Sequence, residues 1–194
     1  MTKKNDRNTK GKIINAAWDL FYEQGYDDTT VEEIIEKSGT SKGSFYHYFE
    51  GKDALLGSLS YIFDEEYEKL RNSFPEGMTS FEKLLYLNAE LFSMIEERID
   101  IDLLTRLYST QLVTKGEKHL LDNKRLYYKL LRSIVNEGQK NGEITESMTA
   151  SEIVKMYAMC ERALIYDWCL CNGEYSLRSY AKKTMPTFLS AIRT

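Results

Sequence analysis

The chain has 194 residues, of which 42% are hydrophobic and 29% charged, with only two prolines and a formal net charge of −4. That length suits one ordinary domain or a small domain joined to a larger one, and average usage would give about ten prolines, so long helices are expected rather than a β-sandwich or a Pro-rich linker. No stretch approaches the roughly 20 apolar residues of a membrane span. The basic start lacks the apolar run of a signal peptide, and three cysteines do not make a disulfide framework, so a cytoplasmic protein without a membrane partner is expected.

Apolar periodicity predicts a first helix from Thr9 to Gln24, with Ile13, Ala16, Ala17, Leu20 and Phe21 on one face and Gly25 at its C-terminal cap. Thr30 and Glu33 have the spacing of a capping box, which starts a short second helix that Ser38-Gly39-Thr40 ends. Ser41 caps a third helix from Lys42 to Tyr48, and a fourth is expected to run unbroken from Lys52 to Asn72. Three short helices with a tight glycine turn between the second and third make a helix-turn-helix. Longer helices follow: one capped by Thr79, one from Asp100 to Val113, one from Glu117 to Asn141, one from Thr149 to Cys171, and a last from Ser176 to Ile192 that Pro186 should kink. The fold class is therefore all-α, with about nine helices.

Charge is uneven along this plan. Lys3, Lys4, Arg7, Lys10 and Lys12 face only Asp6 in the first twelve residues, whereas Asp27, Asp28, Glu32, Glu33 and Glu36 make the next segment acidic. An acidic chain with a basic arm neither requires nor excludes a nucleic-acid partner.

The run Gly39-Thr40-Ser41-Lys42-Gly43-Ser44-Phe45-Tyr46-His47-Tyr48-Phe49-Glu50-Gly51-Lys52-Asp53-Ala54-Leu55-Leu56 decides more. With the preceding residues Ile13 to Gly25 and Thr29 to Gly39, it resembles the N-terminal DNA-binding domain of the TetR family of bacterial transcriptional regulators. The resemblance is continuous over about the first 56 residues and rests on many spaced matches. Two departures stand out: Ile35 where a smaller alanine is common, and Thr40 where Val or Leu is usual. The resemblance implies a DNA-binding domain over residues 1–56 and a helical effector-binding and dimerisation domain over 57–194.

In that role a recognition helix lies in the major groove with its N-terminal residues near base edges. Thr40, Ser41, Lys42 and Ser44 sit at that end, and Gly43 lets the backbone approach a base. Tyr46 and His47 are expected to face the sugar-phosphate backbone. Lys52 is expected to hold a phosphate at a helix start, Thr30 to do the same at the second helix, and the arm from Lys3 to Lys12 to add contacts. Phe45, Tyr48 and Phe49 are expected to fill the core.

The resemblance also implies a small-molecule effector and a homodimer. Phe92, Met94, Arg106, Tyr108, Gln111, Tyr127, Tyr128 and Tyr157 offer aromatic walls with polar handles for the effector. Ile153, Tyr157, Cys160, Leu164 and Trp168 on one terminal helix, with Leu177, Tyr180 and Phe188 on the other, are the candidate dimer face. No cofactor and no metal are expected: Cys169 and Cys171 lie two apart and point to different sides of a helix, and histidine is nearly absent. A nucleophile elbow, a metal-binding His pair and a phosphate loop are all missing, so the chain does not read as an enzyme. A helical interaction protein that keeps this shape without binding DNA is the alternative. An operator-binding repressor released by its effector is the function that the resemblance implies.

Overall fold

The computed structural model describes residues 2–113, 115 and 118–194; the side chains of residues 2–8 are left aside, and with them the contacts expected of Lys3, Lys4 and Arg7. The described residues form α1 (Thr2–Gln24), α2 (Val31–Ser38), α3 (Lys42–Tyr48), α4 (Lys52–Leu56), α5 (Leu59–Arg71), α6 (Ser80–Arg98), α7 (Ile101–Val113), α8 (Leu126–Lys140), α9 (Ala150–Leu170) and α10 (Leu177–Phe188). Short 3-10 turns cover His119–Leu121 and Ser190–Ile192.

The caps explain most of the boundaries. Thr30, Thr79 and Thr149 each accept the backbone N–H of the glutamate three residues on, and Glu33, Glu82 and Glu152 each accept the threonine's own N–H in return. These bonds hold the three exposed carboxyls below their ordinary range. Gly39 sits at φ 62°, the left-handed conformation that ends α2 and opens the turn to α3.

Helix boundaries depart from the sequence expectation at three places. The helix expected to run from 52 to 72 is interrupted at Gly57 and Ser58. There the Ser58 hydroxyl donates to the Leu55 carbonyl at 2.5 Å, and the backbone tightens to i→i−3 bonds. Trp18 Nε1 then donates to Ser58 Oγ at 2.7 Å, pinning the break to α1. The helix expected from Glu117 begins only at Leu126, after the 3-10 turn; Glu117 itself lies outside the described residues. Pro186 is accommodated inside α10, two residues before that helix gives way to a 3-10 turn.

One continuous core runs through the chain. Ile13, Ala17, Phe21, Ile34, Phe45 and Phe49 close the helix-turn-helix, and Leu55, Leu56 and Leu59 join it to the packing of α5, α6, α8 and α9. α6 lies against α10, α8 and α5, and α9 against α8, α7 and α10. The extreme C-terminus is tied back by the Ile144–Arg193 bridge.

Candidate DNA interface and effector cleft

α3 turns Phe45 and Phe49 inward as the pattern predicts, leaves Tyr48, expected in the core, only half-buried against it, and presents Lys42, Gly43, Tyr46 and His47 to solvent. Ser41 caps it by accepting the N–H of Ser44 at 3.1 Å, and the two hydroxyls lie 2.9 Å apart. The hydroxyl of half-buried Thr40 is 2.8 Å from that of Ser38, so it braces the turn. Lys42 is largely exposed and makes a loose 3.4 Å pair with Glu32, with its ammonium 6.0 Å from the Tyr46 ring centroid. A pair this exposed is worth little, so Lys42 is free to exchange Glu32 for a more negative partner. Around Gly43, an added Cβ would meet only Ser41 Oγ, at 3.9 Å. The protein's own packing does not require glycine there.

Lys52 is placed differently from expectation. Its ammonium donates to three carbonyls of the α1–α2 loop, those of Tyr26 at 2.5 Å, Thr29 at 2.8 Å and Asp27 at 3.3 Å, and lies 4.2 Å from the Tyr26 ring centroid. These bonds use all three of the ammonium's donors in the DNA-free chain. Arg106 of α7 approaches the same ring at 4.9 Å and pairs with Asp27 at 2.5 Å, while the Tyr26 hydroxyl donates to Asp53. Tyr26 is thus held by a cation from α4 and one from α7. Lys10 also faces inward along its length, its ammonium 5.8 Å from the Phe49 ring and 5.7 Å from Tyr61.

Of the residues expected at the effector, Tyr108 and Tyr127 line one cleft, with Phe63, Tyr67, Leu91, Leu120, Arg125, Ala158, Glu161, Arg162 and Ile165. At its heart Glu161 is 4% exposed, accepting from Asn88 Nδ2 at 3.0 Å and from the Tyr127 hydroxyl at 2.6 Å. Burial pushes its carboxyl above the ordinary range. The fully buried Tyr67 hydroxyl has no hydrogen-bond partner among the described residues. Such an orphan costs about 1–3 kcal/mol and marks where another polar atom would be welcome. Arg125 is committed to Asp64, at 2.8 Å, and to the Ser60 carbonyl. Tyr157, fully buried, donates to the Leu84 carbonyl at 2.9 Å, and Tyr128 to the Leu120 carbonyl at 2.8 Å.

Four other expected effector residues lie elsewhere. Phe92 and Met94 are spent in the core, Arg106 sits at the junction with the helix-turn-helix, and Gln111 accepts the Leu120 N–H at 3.3 Å. On the candidate dimer face, Ile153, Tyr157, Leu164, Trp168 and Leu177 are buried within the protomer, and Cys160 is half-buried. Only Tyr180 and Phe188 are exposed, at 47% and 46%. The exposed apolar ridge of α9 is instead Met159, Ala163, Tyr166 and Leu170, spaced four, three and four apart. That spacing was visible in a helix apolar nearly all round, but periodicity alone does not say which face its own chain covers. Glu161 and Asn88 had a weaker signal, as polar residues amid apolar stretches.

With this geometry in place, comparison with known proteins is informative. Residues 13–59 match the family described as bacterial regulatory proteins, tetR family, and residues 63–191 match the YsiA-like protein, C-terminal region. The chain belongs to the TetR family. It is a DNA-binding transcriptional regulator. It is 25% identical over 185 residues to the fatty acid metabolism regulator protein of Bacillus subtilis, covering 93% of this chain and 94% of that one. It is 31% identical over 142 residues to the HTH-type transcriptional regulator QacR of Staphylococcus aureus, covering 70% and 73%. Among solved structures, FadR of Thermus thermophilus with lauroyl-CoA shares the fold at a TM-score of 0.76 and 21% identity over 92% of each chain. FadR of Bacillus subtilis with stearoyl-CoA does so at 0.68 and 22%, over 95% of this chain and 100% of that one. Among the described residues no helix is long and apolar enough to cross a membrane, and no cluster of His, Cys, Asp and Glu is arranged to hold a metal.

Proposed function

We propose that the protein is a homodimeric repressor that binds a palindromic operator through α3 and leaves it when a small molecule enters the cleft around Glu161. The observation that carries this is the outer face of α3, where Lys42, Gly43, Tyr46 and His47 stand clear on a helix whose inner face is locked by Phe45 and Phe49. Lys42 reaches a guanine edge or a phosphate, Gly43 admits close approach to a base, and Tyr46 and His47 meet the backbone. Ser41 and Ser44 hold the helix start, Thr40 the turn, and Thr30 the start of α2, where its cap leaves further amides for a phosphate.

One chain carries one such helix, and reading a palindrome takes two about one turn of DNA apart. The exposed ridge Met159, Ala163, Tyr166 and Leu170 on α9, continued by Tyr180 and Phe188 on α10, supplies the surface for pairing with a second copy. The effector acts by population shift, favouring a spacing of the two α3 helices that misses the operator. α7 is the mechanical link, since Tyr108 lines the cleft and Arg106, two residues earlier, grips Tyr26 and Asp27 of the DNA-binding domain. The hollow at Glu161 is about 40 Å³, room for a water or two, so α5, α7, α8 and α9 must part to admit a ligand. The neighbours that hold stearoyl-CoA and lauroyl-CoA make fatty acyl thioesters the first compounds to try.

Selection of bound sequences from a random duplex pool tests the reading. It is expected to yield a palindrome, and Lys42→Ala or Tyr46→Ala to abolish binding in a folded dimer. A folded, dimeric wild type that enriches no sequence in the absence of ligand would refute it.

A further inference from the structure

Glu32 stands at an unexpected place for a carboxylate. It lies in the first turn of α2, and its Oε1 is 3.4 Å from Lys42 Nζ at the start of α3. The Glu32 and Lys42 side chains are 70% and 68% exposed, so both heads lie in solvent beside the outward face of α3. Three other acids of this segment are spent within the protein. Glu33 accepts the Thr30 N–H and hydroxyl, both at 2.7 Å, Glu23 pairs with Lys37 at 2.8 Å, and Asp27 pairs with Arg106. Among the described residues the one ion-pair partner of Glu32 is Lys42.

Residues 1–56 include eight basic and ten acidic residues, so this domain meets a polyanion without a surplus of positive charge. A carboxylate beside the reading lysine adds repulsion from the phosphates unless it finds a hydrogen-bond donor. In the major groove the base pairs offer such donors as the amino groups of cytosine and adenine.

Lys42 and Glu32 together present a donor and an acceptor 3.4 Å apart. A G·C pair presents the complement. Guanine O6 and N7 accept, the cytosine amino group donates, and O6 lies about 2.9 Å from that amino nitrogen because the two are hydrogen-bonded to each other. A T·A pair in the same orientation offers the ammonium thymine O4 alone, beside a methyl group, where guanine offers two acceptors.

We propose that Glu32 is a specificity-determining residue, and that with Lys42 it reads one G·C pair in each half-site. Lys42 takes the guanine edge and Glu32 the cytosine amino group. Their contact is loose and exposed, so each head turns to its base atom with little lost between them. The inference rests on α3 being the reading helix, and the test separates the two.

Selection from a random duplex pool is run on the full-length wild type and on Glu32→Ala, with thermal unfolding of both. Wild type is expected to enrich a palindrome with a fixed G·C pair in each half-site, and Glu32→Ala the same palindrome with that pair relaxed. The wild-type operator is then synthesised with N4-methylcytosine at that pair, which keeps the pairing hydrogen and replaces the amino hydrogen that faces the groove. This base is expected to weaken wild-type binding about tenfold for each half-site, the scale of one lost base contact, and to leave Glu32→Ala unchanged. A purely structural Glu32, supporting the start of α2 through the helix dipole, would move Tm alone, and an unaltered selected sequence in Glu32→Ala overturns the proposal. Equal weakening of both proteins by the methyl group overturns it too. So does a Glu32→Ala protein that binds every duplex more tightly with the same sequence profile, since Glu32 would then act only as a repulsive charge. Relaxation at an A·T pair overturns the G·C assignment. A folded, dimeric wild type that enriches no sequence refutes α3 as the reading helix, and the role of Glu32 with it.

Discussion

Lys52→Met separates two roles for a residue at the edge of the DNA-binding domain. Methionine keeps the length and apolar stem but removes the ammonium. Two of the three carbonyl contacts are short, at 2.5 and 2.8 Å, and the third is long at 3.3 Å. Hydrogen bonds to a charged group contribute about 1.5–3 kcal/mol when buried; this site is half-exposed and the carbonyls can rehydrate, so about 1 kcal/mol for each short bond is the reasonable figure. The Tyr26 ring at 4.2 Å adds about 0.5–1 kcal/mol. The substitution should therefore cost about 2.5–3 kcal/mol, and lower Tm by roughly 5–10 °C in a chain of this size.

The discriminating assay pairs urea or thermal unfolding with operator affinity measured across salt concentrations. If Lys52 is a clamp on the loop, stability falls and the slope of log K against log salt is unchanged, because no phosphate contact has been lost. If Lys52 instead neutralised a phosphate, the slope would fall by about 0.9 per half-site with Tm unaltered. A variant with wild-type Tm and a reduced salt slope would refute the clamp and restore the phosphate contact that the sequence suggested.

Gly43→Ala should raise stability by about 0.5–1 kcal/mol, since alanine is the better helix former and the site is sterically open, yet weaken operator binding about tenfold through a clash worth about 1–3 kcal/mol with the DNA; unfolding curves and gel shifts read the two effects, and unchanged affinity would remove Gly43 from the interface. Burial raises the Glu161 carboxyl above its unfolded value of about 4.5. The folded state then keeps a proton that the unfolded chain releases, and stability falls as pH rises through that window. Urea melts from pH 5 to 8 should show this slope flattened in Glu161→Gln, and parallel curves for the two proteins would contradict it. The double substitution Tyr166→Glu/Leu170→Glu should give a helical monomer by light scattering with operator affinity lost, whereas the same charges at the buried positions Leu164 and Trp168 should unfold the protomer. A persistent dimer in the first variant would move the interface off the α9 ridge.

Much of this protein is local and therefore legible in one dimension. The capping threonines at 30, 79 and 149, the αL glycine at 39 and the inward aromatics at 45 and 49 are set within a few residues of chain, because each depends on backbone groups one turn away. So is the outer face of α3, which the motif already named. Tertiary structure decided what depends on distant partners. Lys52 becomes a clamp only because the loop carbonyls 23 to 26 residues earlier fold beneath it. Arg106 sits at the junction with the helix-turn-helix because Asp27, 79 residues away, is its partner. The break at Ser58 is pinned by Trp18, 40 residues earlier. A helix apolar on two faces, such as α9, cannot declare from its own residues which face its protomer buries. That choice is made by the volume of α7, α8 and α10 packed against it, which covers Ile153, Leu164 and Trp168 and leaves Tyr166 and Leu170 bare. Long-range contacts of this kind carry no period and no local signature, so they become readable only once the chain has folded.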